Sequence, residues 1–138
     1  MITRQQIVDA ARAYIGTPFK KGGRDANGMD CVGLLILTGT DCGLALRDST
    51  AYNFDPNVPL MEEYVFKQST RQKIVPLQNG YIAILKQSVF PMHTGIITMD
   101  GPKPTIINAN MKARRVIEED LSYWINDLIS VRDYLGVV

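Results

Sequence analysis

Residues 28–37 read Gly28-Met29-Asp30-Cys31-Val32-Gly33-Leu34-Leu35-Ile36-Leu37. From Cys31 onward the run is apolar on every side and longer than a typical strand. Asp30 stands in front of it, a residue type that caps helices by accepting from the first free backbone N–H groups. The stretch therefore predicts a buried helix that opens at Cys31 and continues toward Cys42. Such a helix has to be covered by the rest of the chain, so the flanking segments decide the architecture.

On the N-terminal side, Thr3 and Gln6 fit a capping box. Ile7, Val8, Ala11, Tyr14 and Ile15 then recur at helical spacing, and Gly16-Thr17-Pro18 ends that helix. Lys20 to Gly28 reads as a loop. On the C-terminal side, Arg47 to Pro59 (RDSTAYNFDPNVP) reads as a surface loop rather than a linker, and a third helix is expected over Leu60 to Gln68. Strand signals follow at Tyr81–Leu85, His93–Met99, Thr105–Ala109, Arg115–Glu118 and Leu128–Tyr134. They are short, rich in β-branched residues and punctuated by Gly80, Pro91, Asp100-Gly101 and Pro102. Helices first and strands afterwards predict an α+β fold, with the buried helix on one face of an antiparallel sheet of about five strands.

The 138 residues suit one domain spanning residues 1–138, large enough to fold without a disulfide or metal staple. A net charge of +1 with 46% apolar residues argues against disorder and against a strong electrostatic grip on nucleic acid. No stretch approaches the roughly 20 apolar residues that span a membrane. Residues 1–15 carry Arg4, Asp9 and Arg12 and lack an apolar core, so no Sec-type signal peptide is expected.

Three residues attract chemical attention. Cys31 opens the buried helix, where N–H groups and the positive end of the dipole favour a thiolate; a buried structural cysteine is the plain alternative. Cys42 lies roughly 16 Å further along the same helix, too far for a disulfide, which needs less than about 7 Å, and reads as structural. His93 is the only histidine, so a cysteine nucleophile has one possible imidazole base; otherwise it is a surface or capping histidine at a strand start. A turn centred on Asp100-Gly101 sets His93 opposite Asn108, whose side-chain oxygen would accept from one imidazole nitrogen and leave the other to serve the thiol. Pro102 and Pro104 make a longer loop conceivable, which would shift this register, and Asn110 is the alternative partner. One His and two distant Cys do not make a zinc site, and no metal or cofactor is expected.

These residues resemble the NlpC-type papain-like cysteine peptidases, over nearly the whole chain. Tyr14-Ile-Gly-Thr-Pro-Phe19 with Gly22-Gly23 resembles the family's "GTPY..GG" opening. Gly28-Met-Asp-Cys-Val-Gly-Leu34 resembles its "G-D-C-S-G-L" nucleophile segment, and Gly80-Tyr-Ile-Ala-Ile-Leu85 its "GDLVFF". His93-Thr-Gly-Ile-Ile97 resembles "HVGIY", Ile107-Asn-Ala109 "IHA", and Leu121-Ser-Tyr-Trp124 with Val131-Arg-Asp-Tyr134 the closing "YW…ARR".

The resemblance implies a peptidoglycan hydrolase that cuts the D-γ-glutamyl–diaminopimelate bond of stem peptides. Cys31 would be nucleophile, His93 base and then acid, and Asn108 the orienting residue, with Asp30, Phe19 and Val32 beside the substrate. Asn108 stands where the family more often has His, Phe19 where it has Tyr, Val32 for Ser and Tyr81 for Asp. The Asp-Cys-Val-Gly-Leu form is similar to phage-tail and gene-transfer-agent members. It implies a protein carried on the tail of a phage-like particle, partnered by tail or baseplate hub proteins, made in the cytoplasm and acting in the periplasm or cell wall. The alternative is a structural tail or hub component that keeps an inactive peptidase fold.

Overall fold

The computed structural model describes the backbone of residues 1–48, 68–87 and 90–138, and the side chains of these residues apart from 87 and 90–92. The helix expected over Leu60–Gln68, apart from its last residue, and the Arg47–Pro59 loop beyond Asp48 lie outside the described residues.

Helix α1 covers Arg4–Arg12, and its capping box forms as expected. The Thr3 hydroxyl accepts from the Gln6 N–H, and the Gln6 side chain accepts from the Thr3 N–H. Its buried stripe is Ile7, Val8 and Ala11. The Lys20–Gly28 segment is more ordered than a plain loop: β1 (Arg24–Asp25) and β2 (Gly28–Met29) pair as a short antiparallel hairpin. Helix α2 covers Cys31–Asp41, with Asp30 as its N-cap.

The remaining strands form one antiparallel sheet of six rather than five. They are β3 (Ser69–Gln72), β4 (Ile82–Gln87), β5 (Phe90–Thr98), β6 (Thr105–Asn110), β7 (Arg115–Asp120) and β8 (Leu128–Tyr134), in spatial order β3-β8-β4-β5-β6-β7. The strand absent from the sequence reading is β3. Its residues, Ser-Thr-Arg-Gln, carry no apolar alternation, and among the described residues it is an edge strand paired with β8 alone.

Two apolar clusters flank the sheet. Ile82, Ile84, Ile96, Ile107 and Val116 join α1 and α2 in the larger one; Tyr81, Ala83, Leu85, Ile97, Ile106 and Val131 form the smaller one with Leu121. The alternation along β4, β5 and β6 assigns neighbouring residues to opposite clusters, as the pleat requires. Close backbone approach fixes where α2 begins. A Cβ on Gly33 would sit 2.4 Å from the Gly23 carbonyl oxygen, so the first turn of the helix rests directly on the hairpin loop.

Candidate active site

The N-terminus of α2 is tied down by one carboxylate. Asp30 Oδ1 accepts from the Gly33 N–H at 2.8 Å and from Arg24 Nη1 at 3.1 Å, and Oδ2 accepts from the Gly22 N–H at 2.7 Å. Arg24 also pairs with Asp48. These bonds hold the hairpin loop, the helix start and Cys31 as one unit.

Cys31 is 2% exposed. The expectation that the helix end lowers its pKa is overturned. Burial, reinforced by the Asp30 charge, pushes the thiol up to about 12, although backbone N–H groups of Thr94, Val32 and Cys31 pull the other way. Desolvation of a thiolate outweighs a partial helix charge. The Thr94 contact sets the thiol against β5, one residue from His93.

His93 lies just beyond an irregularity in the sheet. The β4–β5 register slips between Leu85 and Lys86, so that Leu85 pairs with His93 but Lys86 with Pro91. Bulges of this kind re-aim side chains. The imidazole is 5% exposed, and its Nε2 lies 2.9 Å from Asn108 Oδ1. Burial lowers the His93 pKa, while the Asn108 bond and the Glu119 charge oppose that shift. Both shifts favour the uncharged forms, a thiol and a neutral imidazole. Among the described residues no hydrogen bond joins Cys31 Sγ to His93.

The expected partner of His93 is met by a different route. In the β5–β6 hairpin Ile96 pairs with Ile107 and Thr98 with Thr105, so each partner is shifted by two residues from the register of a turn centred on Asp100-Gly101. The prolines lengthen the connection. Continued along β5, that register sets Asn110 opposite His93, and Asn108 reaches the ring diagonally. Asn110 is recruited as well: its Nδ2 donates to Asn108 Oδ1 at 3.3 Å.

Two residues of this cluster were not singled out as site residues in the sequence. Glu119 Oε2 accepts from Asn108 Nδ2 at 3.2 Å, and Oε1 accepts from Trp124 Nε1 at 3.1 Å. The Trp124 ring stacks on the imidazole, with centroids 5.0 Å apart and planes at 28°. The signal for Glu119 was period two: with Asn108 paired to Ile117, Glu119 shares a face of β7 with that partner. Trp124 returns over the sheet through the short 3-10 turn Leu121–Tyr123, capped by Asp120.

A cavity of about 380 Å³ opens beside His93. Asn110, Lys112, Glu119, Tyr123, Trp124 and Asp127 line it. Of the residues expected beside a substrate, Asp30 and Val32 have no accessible surface, and Val32 is part of the core. Phe19 is half-buried, bridged to Met29, with its N–H donating to the Arg114 carbonyl. Tyr81 is buried under the Arg4 guanidinium, 4.9 Å from its ring centre. Among the described residues, no group of three or more His, Cys, Asp or Glu could hold a metal ion, and no helix is long and apolar enough to cross a membrane.

No protein-family model and no curated protein matches the chain. Solved structures do. One is a Staphylococcus aureus Mu50 protein described as similar to lipoprotein, of the NLP/P60 family. It is 20% identical with a TM-score of 0.71, over 96% of this chain and 41% of that one. The fold is that of NlpC/p60 domains.

The peptidoglycan hydrolase RipB of Mycobacterium tuberculosis shares this NlpC/p60 fold at TM-score 0.69, with 14% identity over 96% of this chain and 64% of RipB. RipD of the same organism, described as a non-catalytic NlpC/p60 domain protein adapted to peptidoglycan binding, shares it at TM-score 0.64. Its identity is 12%, over 96% of both chains. The chain thus spans about two-fifths of the length of the Staphylococcus protein and about two-thirds of RipB.

Proposed function

We propose that this chain is a single-domain, NlpC-type cysteine peptidase that hydrolyses peptidoglycan stem peptides at the D-γ-glutamyl–diaminopimelate bond. The observation that carries the reading is the 2.9 Å contact from His93 Nε2 to Asn108, with the Cys31 thiol against the next residue of β5, Thr94.

The chemistry follows from those positions. The Asn108 oxygen accepts from Nε2–H, so Nδ1 keeps its lone pair. With substrate bound, the thiol and imidazole close up, as catalytic pairs commonly do only in the complex. Cys31 Sγ attacks the scissile carbonyl while His93 Nδ1 takes the thiol proton. Because both groups rest neutral, proton transfer accompanies attack rather than preceding it. The Cys31 backbone N–H donates to the developing oxyanion, a kind of contact worth about 3 kcal/mol in acyl-transfer enzymes. His93 then protonates the leaving amine, and water, activated by the same nitrogen, hydrolyses the thioester.

Lys112 and Asp127 at the cavity rim bring the two opposite charges that a zwitterionic diamino-acid side chain needs. Phe19 offers an apolar contact, and Asp30 and Val32 serve by holding the helix start. We further read the protein as a tail component of a phage or gene-transfer particle, partnered by hub proteins, that opens the wall during delivery. That reading rests on the Asp30-Cys31-Val32-Gly33-Leu34 form.

The test is incubation with diaminopimelate-containing stem tetrapeptides and intact sacculi, with mass analysis of products. Scission after D-γ-glutamate by the wild type and not by Cys31→Ala supports the assignment; equal inertness of both sinks it. A second reading, a wall-binding or structural protein without catalysis, is favoured by the 2% exposure of Cys31. It predicts that wild type and Cys31→Ala pull down with sacculi equally and that neither releases peptides.

A further inference from the structure

Glu119 lies outside the cysteine–histidine–asparagine trio, yet three side-chain donors converge on its carboxylate. Asn108 Nδ2 donates to Oε2 at 3.2 Å and Asn110 Nδ2 to the same oxygen at 3.4 Å, while Trp124 Nε1 donates to Oε1 at 3.1 Å. Each donor bears on His93. Asn108 turns its oxygen to the ring nitrogen, Asn110 supports that oxygen from the side, and Trp124 covers the ring face.

An asparagine amide can present either end to a neighbour. With its oxygen toward His93, Nε2 must carry the proton and Nδ1 is free to act as a base. With its nitrogen toward His93, Nε2 must accept, the proton moves to Nδ1, and the base is lost. His93 itself does not decide between these states, because a neutral imidazole suits either. A carboxylate only accepts, so Glu119 requires the nitrogen end of Asn108 and, together with the Asn110 Nδ2 that donates to both residues, drives the oxygen end toward the ring.

We propose that Glu119 is a positioning residue that sets the tautomer of His93, by fixing the direction of the Asn108 amide and anchoring Trp124 over the imidazole. The consequence for rate rests on the peptidase reading above; the tautomer is a property of the resting protein and does not.

His93 is the only histidine, so protein labelled with ¹⁵N-histidine gives a single imidazole, whose two nitrogen shifts report which one is protonated. The wild type shows predominantly Nε2–H. Glu119→Gln keeps the size of the side chain but can turn an NH₂ group toward Asn108. The amide then reverses and the signal moves predominantly to Nδ1–H, with melting still cooperative. Trp124→Phe keeps the ring and the carboxylate, and retains Nε2–H.

Under the peptidase reading, Glu119→Gln also lowers kcat with KM within a few-fold, by up to the roughly 10⁴-fold seen when a histidine base is held in the wrong tautomer. A folded Glu119→Gln that stays Nε2–H overturns the inference. If that variant does not fold, a wild type found as Nδ1–H overturns it equally, and one found as Nε2–H with Trp124→Phe unchanged supports it. A reversed tautomer in Glu119→Gln together with a wild type that cuts no stem peptide keeps the positioning role and removes the peptidase.

Discussion

The two ends of α2 each carry a cysteine beside an aspartate, and they differ in almost everything else. At the N-terminal end Asp30 is buried and accepts from two backbone N–H groups and Arg24, and Cys31 meets the backbone of β5 next to His93. At the C-terminal end Asp41 is exposed and accepts from the Tyr14 hydroxyl, while half-buried Cys42 donates to the Gln6 carbonyl of α1 at 3.4 Å. Both thiols are pushed up by burial and then by the neighbouring aspartate. Thiol acidity therefore does not separate the two ends; their company does. Cys31 stands with a base whose partner and stacking ring are already in place, and Cys42 stands against a helix.

The largest expected effect tests that distinction directly. Cys31→Ala reduces stem-peptide cleavage on the order of 10⁴-fold or more, as removal of a nucleophile does in other acyl-transfer enzymes. Cys42→Ala stays within about twofold, the usual reach of a substitution away from the reacting atoms. Comparable losses in the two variants, measured by product mass at equal folded concentration, would remove the reason to treat the ends differently.

A second contrast concerns stability. Asp30→Ala removes the acceptor shared by the Gly33 and Gly22 N–H groups and by Arg24, which keeps Asp48, and costs about 2–4 kcal/mol, a helix cap plus a charge-assisted bond. Asp41→Ala removes an exposed hydrogen bond and costs less than about 1 kcal/mol. Urea unfolding of the two variants reads both values. Similar costs would show that the helix start is no more tightly held than its end.

Much of this arrangement was legible before the structure. The apolar run after Asp30, the Thr3–Gln6 box and the β-branched runs each follow from local rules, and they gave α1, α2 and five of the six sheet strands. What escaped depends on long-range partners. β3 is a polar strand that pairs, among the described residues, with β8 alone, and nothing in Ser-Thr-Arg-Gln announces that. The His93–Asn108 pair was reached with the right residues but the wrong register, because the six-residue connection Met99–Pro104 could not be told from a tighter turn. Glu119 and Trp124 gain their roles only when β6, β7 and the following turn are brought together.

The third contrast is in pH. Only the N-terminal end stands near the chain's one histidine, His93, whose pKa in the folded chain is lowered by burial from its ordinary 6.5. As pH falls below 6.5 the unfolded chain takes up a proton that the folded chain refuses. Stability is then lost until the folded pKa is reached, at up to about 1.4 kcal/mol per pH unit. Glu118 and Asp100, held low by Arg12, are lowered from 4.5 and 3.8, so their loss begins further down. Melting followed from pH 7.5 to 5 therefore falls in the wild type and is flattened in His93→Gln. An equal fall in both would place the titrating group elsewhere.

The smallest difference expected is in reactivity toward iodoacetamide, and it reverses what the helix end alone suggests. Alkylation requires both thiolate and access. Cys31, at about 12 and 2% exposed, has little of either in the resting chain. Cys42 is also shifted upward but is half-exposed at the helix end. At pH 7.5 Cys42 is therefore labelled a few-fold faster, the two equalise in urea, and Cys31 labelling keeps climbing past pH 9 without levelling. Faster labelling of Cys31, with a plateau near neutral pH, would mean that a thiolate–imidazolium pair forms in solution. Attack would then start from a preformed ion, and concerted proton transfer to His93 Nδ1 would no longer be needed. The alkylation profile thus separates two mechanisms that share every residue.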